Sequence, residues 1–159
     1  IRNGIVYLTE DRKSEGLFLE MSVKNNISVV DLKNISDGLI IRKRKEDLLT
    51  AAYCSKLGIK TASIDSKASS LSGGNQQKVV ISKWLAVNPK IIILDEPTSG
   101  LDFDSMEKVR LLIQEQQKKG IKFFIIFGIE GPNDSLPDGI FNLENHLCHV
   151  LTDFFNIHW

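Results

Sequence analysis

Apolar residues fall along this chain in two rhythms. In the first they run together. Gly4-Ile5-Val6-Tyr7-Leu8-Thr9, residues 90–95 around Ile91-Ile92-Ile93-Leu94, and Ile121-Lys122-Phe123-Phe124-Ile125-Ile126-Phe127 are short, nearly continuous apolar runs. That is the pattern of strands in a parallel sheet, buried on both faces. In the second rhythm apolar residues recur every three or four positions. A helix opening at Ser72 and ending near Asn88 puts Val80, Ile81, Trp84 and Leu85 on one face, and Pro89 stops it. A helix from Ser105 to Lys119 turns Met106, Val109, Leu112 and Ile113 inward. Lys118 and Lys119 complement its carboxyl end, and Gly120 is placed for a left-handed cap. Glu46 to Leu57, with Leu48, Leu49, Ala52 and Tyr53 at helical spacing, predicts another helix, ended by Gly58. Val23 to Leu32 predicts one more, with Ser22 as its cap. Between these pieces Glu10-Asp11-Arg12-Lys13 reads as a solvated turn and Ile64 to Ser70 as a linker. Strand, helix and strand in succession imply a right-handed crossover to a parallel neighbour, so the fold class is α/β. A terminal hairpin is predicted near residues 140–151, with Glu144-Asn145-His146 as its turn.

The chemistry is concentrated in residues 71–102. Leu71-Ser72-Gly73-Gly74-Asn75-Gln76-Gln77 is a polar turn opening a helix. Ser72 is placed to cap that helix, and the amides that follow are unpaired donors on a positive dipole. Gly73 and Gly74 carry no Cβ, so an anion can approach the backbone. Beyond that helix the apolar strand delivers two acids at its carboxyl end, Asp95 and Glu96, where ligands bind in open α/β sheets. Asp95 suits a Mg²⁺ held beside phosphates, and Glu96 suits orienting or deprotonating an attacking water. Pro97 closes the strand, and Thr98-Ser99-Gly100-Leu101-Asp102 turns away from it.

These residues resemble the ATP-binding-cassette ATPases, a class of P-loop NTPases. LSGGNQQ is similar to the family's signature motif, IIILDEP to its Walker B strand and SGLD to its D-loop, in the family's order and spacing. GIVYLTEDRKSEGLFLEMSVKNNIS resembles the second cassette of bacterial carbohydrate importers of the ribose, galactose and xylose type. The resemblance implies a role in ATP binding and hydrolysis with Mg²⁺. It places Asp95 at the metal and Glu96 at the attacking water. Ser72, Gly73, Gly74, Asn75, Gln76 and Asp102 come to the nucleotide, and Glu10 stands where most cassettes carry the Q-loop glutamine. It divides the chain into a Q-loop strand and loop (1–15), a helical subdomain (16–70), a signature, Walker B and D-loop part (71–127) and a divergent carboxyl-terminal segment (128–159). It also implies partners: a second cassette, membrane permease subunits and, indirectly, an extracytoplasmic sugar-binding protein. The location implied is the inner face of the cell membrane.

Departures from the family pattern matter as much. No G-x-x-x-x-G-K-[ST] occurs, so the phosphate-cradling P-loop is missing and is expected upstream of Ile1; the chain alone is then expected to be inactive. Phe127-Gly128-Ile129-Glu130-Gly131-Pro132 holds no switch histidine, and Asp138-Gly139-Ile140-Phe141 is only loosely similar to the family's next strand. His146, Cys148 and His149 are metal-ligand types, but three within four residues of one strand cannot all converge. Two further readings stay beside the importer: a non-catalytic half lending its signature to a partner, and a non-transport ATPase with the same head motifs. Residues 11–70 hold no sustained heptads, against the coiled-coil repair ATPases.

Composition adds exclusions. With 20 basic and 20 acidic side chains the formal charge is zero, which gives no electrostatic case for nucleic acid. Arg42-Lys43-Arg44-Lys45 is read first as a solvated loop, then as a run near anionic lipid headgroups. Cys54 and Cys148 make no disulfide framework. No apolar run approaches the roughly 20 residues needed to span a membrane.

Overall fold

The computed structural model describes residues 3–126, 141–143 and 146–148. Three parallel strands form the sheet, β1 (Ile5–Leu8), β4 (Ile91–Asp95) and β5 (Lys122–Ile126), in the order β1-β4-β5. The registers set Tyr7 beside Ile93 and Ile93 beside Phe124, so all three carboxyl ends fall along one edge. Two helices pack on one face: α4 (Gly73–Ala86), which precedes β4, and α5 (Phe103–Lys118), which joins β4 to β5. Val6, Leu8, Ile92, Leu94 and Ile125 meet Val80, Ile81, Leu85, Val109, Leu112 and Ile113 there to make the main core.

The strands differ from expectation in their burial. Along β4 buried and half-buried residues alternate, and Ile5, Tyr7 and Phe124 on the second face are 44%, 47% and 43% exposed. Only one face of the sheet is covered by helices among the described residues. By contrast α4, expected to be amphipathic, is buried nearly all round: Gln76, Gln77, Lys78, Ser82 and Lys83 are as enclosed as Val79, and Trp84 is half-buried. It ends at Ala86, and Asn88 takes a left-handed turn (φ 47°) before Pro89.

The segment from Arg12 to Ser70 packs against α4 and brings three helices of its own. The expected helix from Val23 to Leu32 is two pieces, α1 (Val23–Ser28) and α2 (Leu32–Ile35). The break falls at Val29-Val30, β-branched residues that favour helix less, and Asp31 stands at the next amino end. Ser22 does cap α1, its Oγ accepting from the Asn25 amide at 3.0 Å. A two-residue hairpin follows, β2 (Ser36–Asp37) with β3 (Ile40–Ile41), then α3 (Lys43–Leu57). That helix begins three residues before Glu46, so the basic run is its cap and first turn and not a loop. Leu48 and Ala52 face solvent, and Glu46, Thr50 and Leu57 are buried instead. Gly58 ends it with φ 59°, as the sequence predicts. The expected linker 64–70 is tied down: Ile64 and Ser66 carbonyls accept from the Lys24 and Val23 amides, and Ala68 is buried. Helix α5 starts at Phe103, two residues early, because Asp102 caps it. A short antiparallel pair, β6 (Phe141–Leu143) and β7 (His146–Cys148), forms at the predicted hairpin. The readings on residues 127–140, on Glu144-Asn145, on the side chains of His146, Cys148 and His149, and on the tail lie outside the described residues.

Candidate functional site

The site lies where β1 and β4 end and α4 begins. At the end of β4, Asp95 stays in strand geometry while Glu96 takes φ 45°, a left-handed conformation that a side chain with a Cβ adopts at a cost. Its amide donates to the Ile126 carbonyl at 2.9 Å and its carbonyl accepts from the Ser99 amide at 3.1 Å. The chain therefore leaves the sheet abruptly between two adjacent acids.

Asp95 has a neighbour that the sequence did not reveal. Tyr7 of β1 stands opposite Ile93, two residues before Asp95 on the same face, and its hydroxyl donates to Asp95 Oδ2 at 2.7 Å. That hydrogen bond first, then partial burial and the Asp95, Glu15 and Glu10 carboxylates, push the Tyr7 hydroxyl up to about 12. Glu10, just past β1, is exposed and belongs to this acidic surroundings of Tyr7.

The amino end of α4 is built differently from expectation. Ser72 has the backbone angles of a cap, but its hydroxyl makes no bond to the helix amides. It accepts instead from Asn75 Nδ2 at 2.9 Å, while Asn75 Oδ1 accepts from the Lys60 amide at 2.8 Å. The cap oxygen is diverted into a side-chain chain, and the first amides of the helix keep no side-chain acceptor. The two glycines also have neighbours within the chain. A Cβ on Gly73 would sit 2.8 Å from Arg12 Nη2, and one on Gly74 would sit 3.1 Å from the Gly100 carbonyl oxygen. Their lack of a side chain thus serves close packing here, whatever else approaches.

Arg12 is the other residue missed at the sequence level, where it reads as part of a solvated turn. Residues 12–16 instead form one wide π-type helical turn, capped by Asp11, which accepts from the Lys13 and Ser14 amides at 3.1 Å. A bond from the Ser14 hydroxyl first, and then these amide bonds, hold the Asp11 carboxyl below its ordinary value. The turn carries the Arg12 guanidinium between Gly73 and Gly100, its Nε buried without a hydrogen-bond partner. Gln77 adds a second tie, donating through Nε2 to the Pro97 carbonyl at 3.3 Å. Asp102 works locally: it accepts from the Ser105 amide and hydroxyl, both at 2.9 Å, which lowers its carboxyl. Gln76 donates inward to the Ala68 carbonyl at 3.1 Å. Among the described residues, no three His, Cys, Asp or Glu side chains gather as a metal cluster.

The chain has known relatives. The family model described as "ABC transporter" matches residues 1–99. The chain belongs to that family. It is 43% identical, over 126 residues, to the ribose import ATP-binding protein RbsA of Shouchella clausii; the alignment covers 79% of this chain and 25% of that one. The protein of that name from Halalkalibacterium halodurans is 42% identical over 158 residues, covering 95% of this chain and 30% of its own length. The chain therefore spans about a quarter to a third of such relatives, and the second alignment runs well past Phe127. Among solved structures, the dimeric post-hydrolysis state of the ATP-binding cassette MJ0796 bound to ADP and Pi gives a TM-score of 0.64 at 23% identity, covering 79% of this chain and 59% of that one. The cassette MJ1267 of an ABC transporter gives 0.58 at 26%, over 78% and 51%. The α/β sheet with its helical subdomain is thus an ABC-cassette fold. No helix among the described residues is long and apolar enough to cross a membrane.

Proposed function

We propose that this chain is part of the ATP-hydrolysing subunit of an ABC importer for a sugar, working on the inner face of the cell membrane. The observation that carries the reading is the identity of 43% to a ribose import ATP-binding protein, over four-fifths of a chain whose strand end sets Asp95 and Glu96 side by side. ATP lies between two cassettes in this reading. Ser72, Gly73, Gly74, Asn75 and Gln76 of the α4 turn, with Asp102, serve the nucleotide whose Walker motifs belong to the partner cassette. Asp95, Glu96 and Glu10 serve the chain's own. Membrane permease subunits and an extracytoplasmic sugar-binding protein complete the assembly, and nucleic acid has no part in it.

The donor set suits Mg²⁺. Tyr7 fixes the Asp95 carboxylate through Oδ2, and Mg²⁺ in nucleotide sites takes one or two carboxylates beside phosphate oxygens and water. When bound, the ion neutralises charge on the phosphates. Glu96, set apart from the strand by its left-handed turn, orients the attacking water and receives its proton.

One feature favours a weaker version of this site. Glu10 carries a negative charge where a neutral amide is usual in the family, and it joins Asp95 and Glu15 around Tyr7. In this second reading the chain's own site hydrolyses slowly while its signature turn serves a fully active partner site. In the full-length subunit assembled with its membrane subunits, Ser72→Arg is then expected to nearly abolish ATPase turnover. Glu96→Gln should cost much less than the roughly 10²–10⁴-fold loss of an essential base. Equal damage from both overturns the asymmetric reading. A harmless Ser72→Arg overturns the nucleotide role of the turn itself.

A further inference from the structure

The hairpin before α3 has no role in the nucleotide chemistry, and its construction points outward. Asp37 and Ile40 pair across two residues, Gly38 and Leu39. Gly38 takes φ 60°, as the first central position of a tight hairpin turn requires, and a Cβ there would meet nothing within 4 Å. The tip is therefore in open space. It carries three consecutive aliphatic residues, of which Leu39 is fully exposed (103%) and Ile40 is 71% exposed.

Cations flank this tip in the chain. From Lys33 to Lys45 the sequence holds five basic side chains and one acid, Asp37, in a chain that is neutral overall. Asp37 bonds Arg42, whose Nε donates to it at 2.6 Å, and lies 3.9 Å from Lys45. The Arg42 amide donates to the Ile35 carbonyl at 2.8 Å, so hairpin stem and helix start are held as one unit. Lys43 and Arg44 occupy the first turn of α3, where the helix dipole disfavours positive charge. Their placement does nothing for the helix. Leu48, one turn beyond Arg44 on the same helical face, is 64% exposed and extends the apolar surface.

We infer that the 36–45 hairpin and helix start form a contact for an anionic lipid surface: Leu39 and Ile40 enter the headgroup region while Lys43, Arg44 and Lys45 meet phosphates. A protruding aliphatic tip followed at once by Lys and Arg fits that partner. Protein hot spots instead seat aromatic or arginine anchors in pockets, and the tip offers neither groove nor ring. A second copy is disfavoured because like clusters of cations would meet. The contact is independent of ATP, so it stands or falls apart from the nucleotide reading.

Vesicle flotation tests it, because aggregates do not float. The chain is expected to float with phosphatidylcholine vesicles containing phosphatidylglycerol, to lose this with added salt, and to ignore vesicles of phosphatidylcholine alone. Lys43→Glu with Arg44→Glu should weaken binding on the order of tenfold or more. Leu39→Ser with Ile40→Ser should weaken it comparably; its melting should be unchanged since the side chains are exposed, and that of the glutamate pair unchanged or raised, since acids suit a helix's first turn. Leu39→Trp in contact with brominated anionic lipid should show more fluorescence quenching than the parent chain, a direct sign of insertion. Equal binding to neutral vesicles, no binding, or binding that survives both double variants overturns the proposal. So does flotation that appears only when membrane subunits are in the vesicle, which would make the partner a protein.

Discussion

Tyr7 and Asp95 share a hydrogen bond that makes a clear statement about alkaline pH. The neutral hydroxyl is the donor, so losing its proton breaks the bond and sets two negative charges together. The folded value near 12 lies above the ordinary 10.0, so the contribution to stability is complete below pH 10 and is lost as pH rises toward 12. Tyr53 is also raised to about 12, mainly by burial, and the chain has two tyrosines. Phenolate absorbance of the folded chain is therefore expected to stay low through pH 10–11 and to appear at ordinary values in denaturant. Tyr7→Phe should leave Tyr53 alone to titrate near 12. A folded chain whose tyrosines ionise at 10 would show that the Asp95 bond does not form. The two glycines of the α4 turn make a second contrast at this scale. Gly73→Ala meets the movable end of Arg12, whereas Gly74→Ala meets the backbone oxygen of Gly100. Alanine gains up to about 1 kcal/mol in helix propensity. Overpacking against fixed atoms costs about 1–3 kcal/mol. Denaturant melts should then find Gly73→Ala near neutral, improved further when combined with Arg12→Ala, and Gly74→Ala destabilising. The reverse order would mean that Arg12 is fixed and the loop carrying Gly100 is the part that yields.

Elements were legible where local chemistry alone decides them. Ser22 and Gly58 end their helices as read, and the apolar runs at 5–8, 91–95 and 122–126 are the three parallel strands. The positions of Asp95 and Glu96 at a strand's carboxyl end follow from the same run. What escaped depends on contacts far apart in the chain. Tyr7 and Asp95 are 88 residues apart, and no pattern within either strand gives their register. Arg12 looked solvated because the wide turn that folds it onto Gly73 has no periodicity of its own. The helix α4 is the clearest case of a half-right reading: its apolar stripe was visible, its complete burial was not. Lys83 sits on the face taken for polar, buried, donating to the Gly16 carbonyl at 3.0 Å with Phe18 and Trp84 rings about 5 Å away. Burial lowers its ammonium below the ordinary 10.5. A lysine lowered on folding binds its proton more weakly than in the unfolded chain, so stability rises with pH between the two values. The chain is expected to grow more stable as pH climbs toward the ordinary lysine value from below, until the tyrosine loss takes over above pH 10. Lys83→Met should flatten this rise and stabilise the chain near neutral pH, since it removes a charge from the interior and keeps the packing stem. Lys78, lowered in the same direction, leaves part of the slope in place. Destabilisation by Lys83→Met at neutral pH would mean that the Gly16 bond and the two rings outweigh the desolvation.

For the whole molecule the uneven sheet matters most. One face carries α4 and α5; the other presents Ile5, Tyr7, Ile91, Ile93 and Phe124 with partial exposure. Parallel sheets are ordinarily covered on both sides, because their strands are apolar on both. Among the described residues β1 and β5 are also the sheet's edges, and an apolar edge strand is a template for another chain. Lys122, beside Ile91, and Asp95, beyond Ile93, also lie on this face, but its middle row of Tyr7, Ile93 and Phe124 carries no charge. The chain on its own is expected to self-associate with rising concentration in sedimentation velocity, and to melt broadly below about 60 °C, no higher than the usual range for small domains. Ile5→Lys together with Phe124→Lys should shift it toward monomer without loss of helical signal, since both side chains point away from the core. Lys on an exposed sheet face is tolerated and repels a second copy. A chain that stays monomeric at every concentration and melts sharply above that temperature would show that the second face is already covered.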